Sequence, residues 1–139
     1  MTSGGNTHDL GWLVDRFTQD TVGVAHAVVL SADGLVVAAS TAVRADQAER
    51  LAALSSGVLS LALGASGVFG LGGYEQSILR FVGGHLFVTA LSHGAAFAVV
   101  TTADARMGVV AHQMALFAAR AGDYLTPALR YEPGQVRGV

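Results

Sequence analysis

The chain has 139 residues, 52% of them hydrophobic and only 13% charged, with a formal net charge of −2. All eight basic residues are arginines and cysteine is absent, which excludes Schiff-base, Walker and kinase-type lysines, disulfides, thiolate metal sites and cysteine nucleophiles. The arginines are scattered, so no basic stripe for nucleic acid forms. An average globular chain carries about 25% charge, and one small domain should need more because its surface is large for its volume; part of this surface is therefore expected to lie against another chain or in lipid.

Residues 1–8 are polar and Gly/Ser-rich, without the basic and apolar regions of a signal peptide. They are expected to be disordered, with the cytoplasm as default compartment. One domain is expected over 9–126, starting with a short amphipathic helix, Asp9 to Gln19, in which Leu10, Leu13 and Phe17 mark an apolar side with Trp12 beside them. Val24 to Leu30 and Leu35 to Ser40 read as strands joined by Ser31-Ala32-Asp33-Gly34, a tight hairpin turn. Asp46, with Glu49 three residues on, suggests a capping box at the start of a long helix. Leu51, Leu54, Val58 and Leu61 form one apolar stripe of that helix; Leu59, Ala62 and Leu63 lie on another side. Gly64 to Gly73 is expected to break the helix into a loop. Gln76 to Val82 is a third strand, Gly83-Gly84 a two-residue turn, and His85 to Leu91 and Ala95 to Thr101 are the last two strands. Asp104 is placed to cap a final helix, Ala105 to Gly122, with Met107, Val110, Met114 and Phe117 inward. The tail, 127–139, holds Pro127 and Pro133 and is expected to be irregular. The order α-β-β-α-β-β-β-α predicts an α/β (α+β) fold, a five-stranded antiparallel sheet between helices.

No catalytic, cofactor or metal site is predicted. The glycines from Gly64 to Gly73 follow a helix and open a strand, the reverse of a dinucleotide-binding turn, and no Gly-Lys-Ser/Thr accompanies them. Gly64-Ala65-Ser66-Gly67-Val68 ends in Val where a nucleophile elbow needs Gly. His85 and His93 sit at opposite ends of one strand, too far apart to share a metal; His8, His26 and His112 show no ligand spacing. Asp9, Asp33, Asp46 and Asp104 stand where caps and turns use them. Arg80 is the one charge inside the third strand, either an exposed edge residue or a partner for a carboxylate across an interface.

Leu51 to Leu71 carries no charge, long enough to cross a bilayer. Ser55, Ser56, Ser60 and Ser66, with Gly57, Gly64, Gly67 and Gly70, dilute its hydrophobicity, and no aromatic belt or basic flank follows. The favoured reading is a helix buried on two sides, by its own sheet and by a two-fold copy of itself. Burial of the second side by the chain's own loop and tail is the alternative, and a direct membrane span is not expected.

The run Ala27-Val28-Val29-Leu30-Ser31-Ala32-Asp33-Gly34-Leu35 resembles the first hairpin of roadblock/LC7 domains. Ala48-Glu49-Arg50-Leu51-Ala52-Ala53-Leu54-Ser55-Ser56-Gly57-Val58-Leu59-Ser60-Leu61 resembles their long second helix. Gly83-Gly84-His85-Leu86-Phe87-Val88 and Leu125-Thr126-Pro127-Ala128-Leu129-Arg130 are similar to the family's actinobacterial, conservon-encoded branch. The resemblance spans Asp9 to Arg130 and implies a profilin-like fold that dimerises through its third strand and long second helix. The implied dimer interface is Leu51, Leu54, Ser55, Val58, Leu59, Ala62, Ser77, Leu79 and Phe81. It further implies a non-catalytic scaffold or regulator of a small Ras-like GTPase, similar to bacterial gliding-motility regulators. The implied setting is a membrane-proximal signalling complex with a sensor-type histidine kinase. A small-molecule sensor of PAS- or profilin-like layout, with its pocket between sheet and long helix, is the second reading.

Overall fold

The computed structural model describes residues 2–125, with side-chain surroundings from Asp9 onward. The elements are α1 (Thr2–Asp20), β1 (Val24–Leu30), β2 (Val36–Ala39), α2 (Ala45–Phe69), β3 (Gln76–Phe81), β4 (Gly84–Ala90), β5 (Ala96–Thr102) and α3 (Met107–Ala121), with one 3-10 turn at Ser92–Gly94. This is the expected order. All strand pairs are antiparallel and the sheet runs β2-β1-β5-β4-β3.

Alternation along the central strands divides the core between two faces. Ala27, Val29, Phe87, Phe97 and Val99 point to α1 and α3, where they meet Leu10, Leu13, Val14, Phe17, Val110, Met114 and Phe117. Phe97 and Phe117 stack with ring centroids 3.8 Å apart, and Phe17 meets Phe97 edge-on at 4.9 Å. Val28, Leu30, Val88, Ala96 and Ala98 point the other way, to Ala48, Leu51 and Ala52 of α2. Both faces of the middle of the sheet are thus covered, which explains why β1, β4 and β5 read as apolar runs.

Several boundaries differ from expectation. α1 begins at Thr2, not Asp9, so the segment expected to be disordered is helical from its second residue. Once Leu10, Leu13 and Val14 anchor a helix, extending it by about two turns costs far less than nucleating it. Trp12 does not join the inner side: it is 56% exposed, with the Arg16 guanidinium 5.2 Å from its ring, and Val14 takes the buried place. α2 is capped by Arg44, with no side-chain cap bond, and Asp46 lies inside the first turn. There Asp46 accepts from Arg44 Nη2 at 2.6 Å and from the Gln47 N–H at 3.0 Å. Nor does Asp104 cap α3; it accepts from Thr102 Oγ1 at 2.6 Å, and Arg106 precedes the helix.

The helix α2 also runs on through Gly64 and Gly67 and stops only at Gly70, which is left-handed at φ 64°. A helical glycine costs about 1 kcal/mol relative to alanine, which slows a helix without breaking it. The left-handed Gly70, whose N–H bonds the Ser66 carbonyl at 2.8 Å, is what ends it. The β3–β4 turn is displaced by one residue as well. Phe81 pairs with Gly84, leaving Val82 and Gly83 as the turn. The expected irregular tail, 127–139, lies outside the described residues.

Candidate interaction surface

The long helix has one side too few in the chain's own core. Ala48, Leu51, Ala52 and Ser55 are its buried residues. Leu54, Leu61 and Val68 are 66%, 78% and 76% exposed, and Leu63, Phe69 and Leu71 are exposed too. The expected stripe of Leu51, Leu54, Val58 and Leu61 is therefore divided. Leu51 turns inward, Val58 is half-buried, and Leu54 and Leu61 face out. The helix is apolar around most of its circumference, so periodicity alone cannot say which arc meets the sheet.

The outward arc has its own pattern. Leu54, Gly57, Leu61, Gly64 and Val68 follow one another at spacings of three and four, the seam of a helix that packs along another helix. A Cβ added at Gly57 or Gly64 would meet nothing within 4 Å. The packing of the described residues therefore gives no reason for glycine there. Small residues in such a seam let a second backbone approach closely.

Strand β3 continues this surface at the sheet's edge. Ser77, Leu79 and Phe81 lie opposite Val88, Leu86 and Gly84 of β4, which puts them on the α2 side. Ser77 and Leu79 are half-buried and Phe81 is 60% exposed. Gln76, Ile78 and Arg80 take the opposite side, where Arg80 is an exposed edge residue beside His85. Tyr74 pins the start of the strand: its hydroxyl donates to the Val88 carbonyl at 2.7 Å and lies 2.8 Å from Ser77 Oγ. Burial pushes this phenol above the ordinary tyrosine range.

Of the nine residues expected at a dimer interface, Leu51 and Ser55 spend their surface inside the domain, packed towards its own sheet. Ser55 is fully buried and its hydroxyl has no hydrogen-bond partner among the described residues. Val58, Leu59 and Ala62 are half-buried on the flank of the outer arc. Leu54 and Phe81 are open, and Leu79 and Ser77 lie between. Sequence reading missed Leu61, Gly64 and Val68 as members of this surface, although their spacing from Leu54 signals it.

The helix Ala45–Phe69 has the length and mean hydropathy (1.7) of a membrane span, and only 17% of its apolar window is buried. Its ends argue against spanning. β2 precedes it and β3 follows it, and both belong to one sheet. A bilayer between them would pull that sheet apart.

Among the described residues, hollows lie on both faces of the sheet. One, about 470 Å³, lies between α1 and α3 beside Arg16, Asp20 and Arg120. The other, about 330 Å³, lies between α2 and the sheet's loop end, beside Ser56, Leu59, Leu63, Tyr74 and Leu91. The second is where the sensor reading places a pocket; its lining has no charged group. Among the described residues no three His, Asp or Glu side chains gather to hold a metal.

Comparison with known proteins agrees with this architecture. None of the curated proteins compared matches the chain. A Roadblock/LC7 domain from Streptomyces avermitilis is 31% identical over 82% of this chain and 95% of its own, with TM-score 0.78. MglB of Myxococcus xanthus shares the fold at 13% identity over 86% of this chain and 92% of its own, TM-score 0.77. Profilin IA of Acanthamoeba castellanii does so at 17% identity over 81% and 96%, TM-score 0.56. The profile of the Roadblock/LC7 domain matches residues 10–101, and the chain belongs to that family.

Proposed function

We propose that the chain works as a homodimer that binds and regulates a small Ras-like GTPase, without catalytic residues of its own. The observation that carries the reading is the apolar surface left open on the outer arc of α2, together with the open edge strand β3 and its exposed Phe81. A second copy related by a two-fold axis covers both at once. Family membership supports the GTPase partner, because the roadblock resemblance implies one. Regulation then requires unequal affinity for the partner's nucleotide states, since a ligand that binds both equally shifts nothing.

The finer setting is a cytoplasmic complex with a sensor-type histidine kinase, held near the membrane by partners rather than by this chain. The conservon resemblance supports it. Light scattering on the purified chain, alone and then with a small Ras-like GTPase loaded with GTP or GDP, tests the proposal. The expected mass is twice 14.2 kDa, shifting with one nucleotide form. A dimer indifferent to nucleotide leaves scaffolding alone. A monomer that binds neither form overturns the proposal; a melting shift with small molecules would then favour the sensor reading through the hollow beside Tyr74.

A further inference from the structure

The face of the sheet away from α2 carries a groove with no part in the homodimer proposed above. α1 and α3 both pack on that face. α1 ends where β1 begins and α3 starts where β5 ends, and Val24 of β1 lies opposite Thr101 of β5, so the two helices run antiparallel. Leu13, Phe17 and Phe117 form the floor of the hollow of about 470 Å³ between them, and the exposed Arg16 and Arg120 border it. The one carboxylate in its lining, Asp20, lies 3.8 Å from Arg16 Nη2, beyond the roughly 2.7–2.9 Å of a charge-assisted hydrogen bond. Asp15 turns elsewhere and accepts from the Thr41 N–H at 2.8 Å. Among the described residues Arg120 makes no ion pair. The Arg16 guanidinium lies over the Trp12 ring at 5.2 Å, a placement that keeps its in-plane N–H donors for a carboxylate.

We propose that this groove binds an acidic amphipathic helix of a partner protein, with a carboxylate held between Arg16 and Arg120 and a large apolar side chain laid on the floor beside Leu116. Two antiparallel helices make a straight trough into which the ridge of a third can pack. The apolar surface runs past the hollow at both ends, so it fits a segment of chain better than a lone organic anion. Trp12 extends it one turn before Arg16 on α1, and Val109 extends it two turns before Leu116 on the outer side of α3; all three apolar residues are exposed. Because the helices are antiparallel, these extensions point in opposite directions along the trough. Tryptophan and arginine are also the residue types that dominate binding energy at protein interfaces.

Charge selects the occupant. Two guanidiniums against one carboxylate leave the groove positive in a chain whose net charge is −2. A second copy does not supply the missing anion. The apolar arc of α2 is uncharged from Leu51 to Leu71, and a two-fold copy of the groove itself would set arginine against arginine. A foreign helix with carboxylates beside its apolar stripe meets both the charge and the floor. The inference rests on neither the homodimer nor the GTPase reading, because α2 lies on the other face of the sheet.

Trp12 is the only tryptophan in the chain, so its fluorescence reports this groove. A displayed library of single helices, with Asp, Glu, Asn, Gln, Leu and Phe varied along one face, is selected against the full chain, and the enriched helices are labelled for anisotropy titration. They should pair carboxylates with Leu or Phe and should shift the Trp12 emission. Arg16→Gln and Arg120→Gln should each weaken them roughly tenfold, whereas Arg50→Gln, on exposed α2 surface, should leave affinity unchanged. Arg120→Glu should bind the helix whose carboxylate is replaced by arginine better than it binds the parent helix, an exchange that loss of fold cannot imitate. No enrichment, enriched helices without carboxylates, or binding that survives both arginine-to-glutamine changes overturns the proposal. Binding lost in Leu54→Asp and kept in the arginine variants places the helix on α2 and overturns it too. A Trp12 shift with phosphatidylcholine–phosphatidylserine vesicles and with no selected helix assigns the face to an anionic membrane instead. The mass of the wild type by light scattering decides the homodimer reading separately.

Discussion

Gly83 and Gly84 are adjacent and chemically identical, yet the backbone needs only one of them. A Cβ on Gly84 would stand 2.1 Å from the Thr101 carbonyl oxygen of β5, whereas one on Gly83 would meet nothing within 4 Å. The obstacle is main chain of the paired strand, at the end of the β4–β5 ladder, and not the flexible tip of a side chain. Gly84→Ala is therefore expected to cost about 2–3 kcal/mol, and Gly83→Ala less than about 0.5 kcal/mol, measured by urea unfolding. Tyr74 supplies a pH-dependent counterpart. Below the ordinary tyrosine pKa, folded and unfolded chains both keep the phenolic proton. As pH rises through about 10 the unfolded chain releases it while the folded chain, whose Tyr74 pKa is raised by burial, holds it, so stability falls. Tyr74→Phe should lose about 1 kcal/mol at pH 7 with its hydrogen bond, and its deficit relative to wild type should shrink by pH 10.5. A gap that stays constant between urea titrations at the two pH values would show that Tyr74 does not set the alkaline slope.

At the scale of the element, α2 tolerates glycines its own fold does not need. Gly64 lies in the outer seam between Leu61 and Val68, while Gly67 points to another side of the helix, and neither has a neighbour within 4 Å of a built Cβ. Replacing either by alanine should stabilise the isolated domain by about 1 kcal/mol. Only Gly64→Ala should also weaken self-association, by tenfold or more, because its methyl group enters the seam. Sedimentation equilibrium distinguishes the two; equal affinities for both variants would remove the seam from the interface. The same helix shows what the sequence could and could not reveal. The order of strands and helices along the chain was legible, since Val28, Leu30, Val88 and Phe97 sit in runs whose period and turn residues leave little choice; their order in the sheet was not. That α2 carries more apolar surface than its own sheet covers was legible as an absence of charge after Arg50. Its facing was not: Leu51 and Leu54 are equally apolar, and only contact with the sheet makes one core and the other surface. The helix end was misplaced because Gly64 and Gly70 look alike in sequence, and only Gly70 adopts the left-handed backbone.

For the whole molecule, the exposed apolar surface is large enough to link folding to association. Covering Leu54, Leu61, Leu63, Val68 and Phe81 in both copies, at roughly 1–2 kcal/mol for each side chain, contributes about 10–20 kcal/mol, the same order as what association costs in lost freedom, about 4–15 kcal/mol. Edge hydrogen bonds from β3 then decide the balance, so the dimer should be reversible and its melting temperature should rise with protein concentration. Leu54→Asp puts a charge into the seam but into no part of the domain's own core, because Leu54 is 66% exposed. This variant should remain folded as a monomer, with a melting temperature independent of concentration. Leu51→Asp instead places a carboxylate in the cluster around Val28, Leu30 and Val88 and should unfold the domain at every concentration. Calorimetry at tenfold steps of concentration separates these cases. A wild type that melts at one temperature throughout, and that floats with neutral lipid vesicles when Leu54→Asp does not, would assign the apolar arc to a membrane surface instead of a second copy. A concentration-dependent wild type with no vesicle binding leaves self-association as the use of that arc, because association then takes the strip out of water and lipid does not.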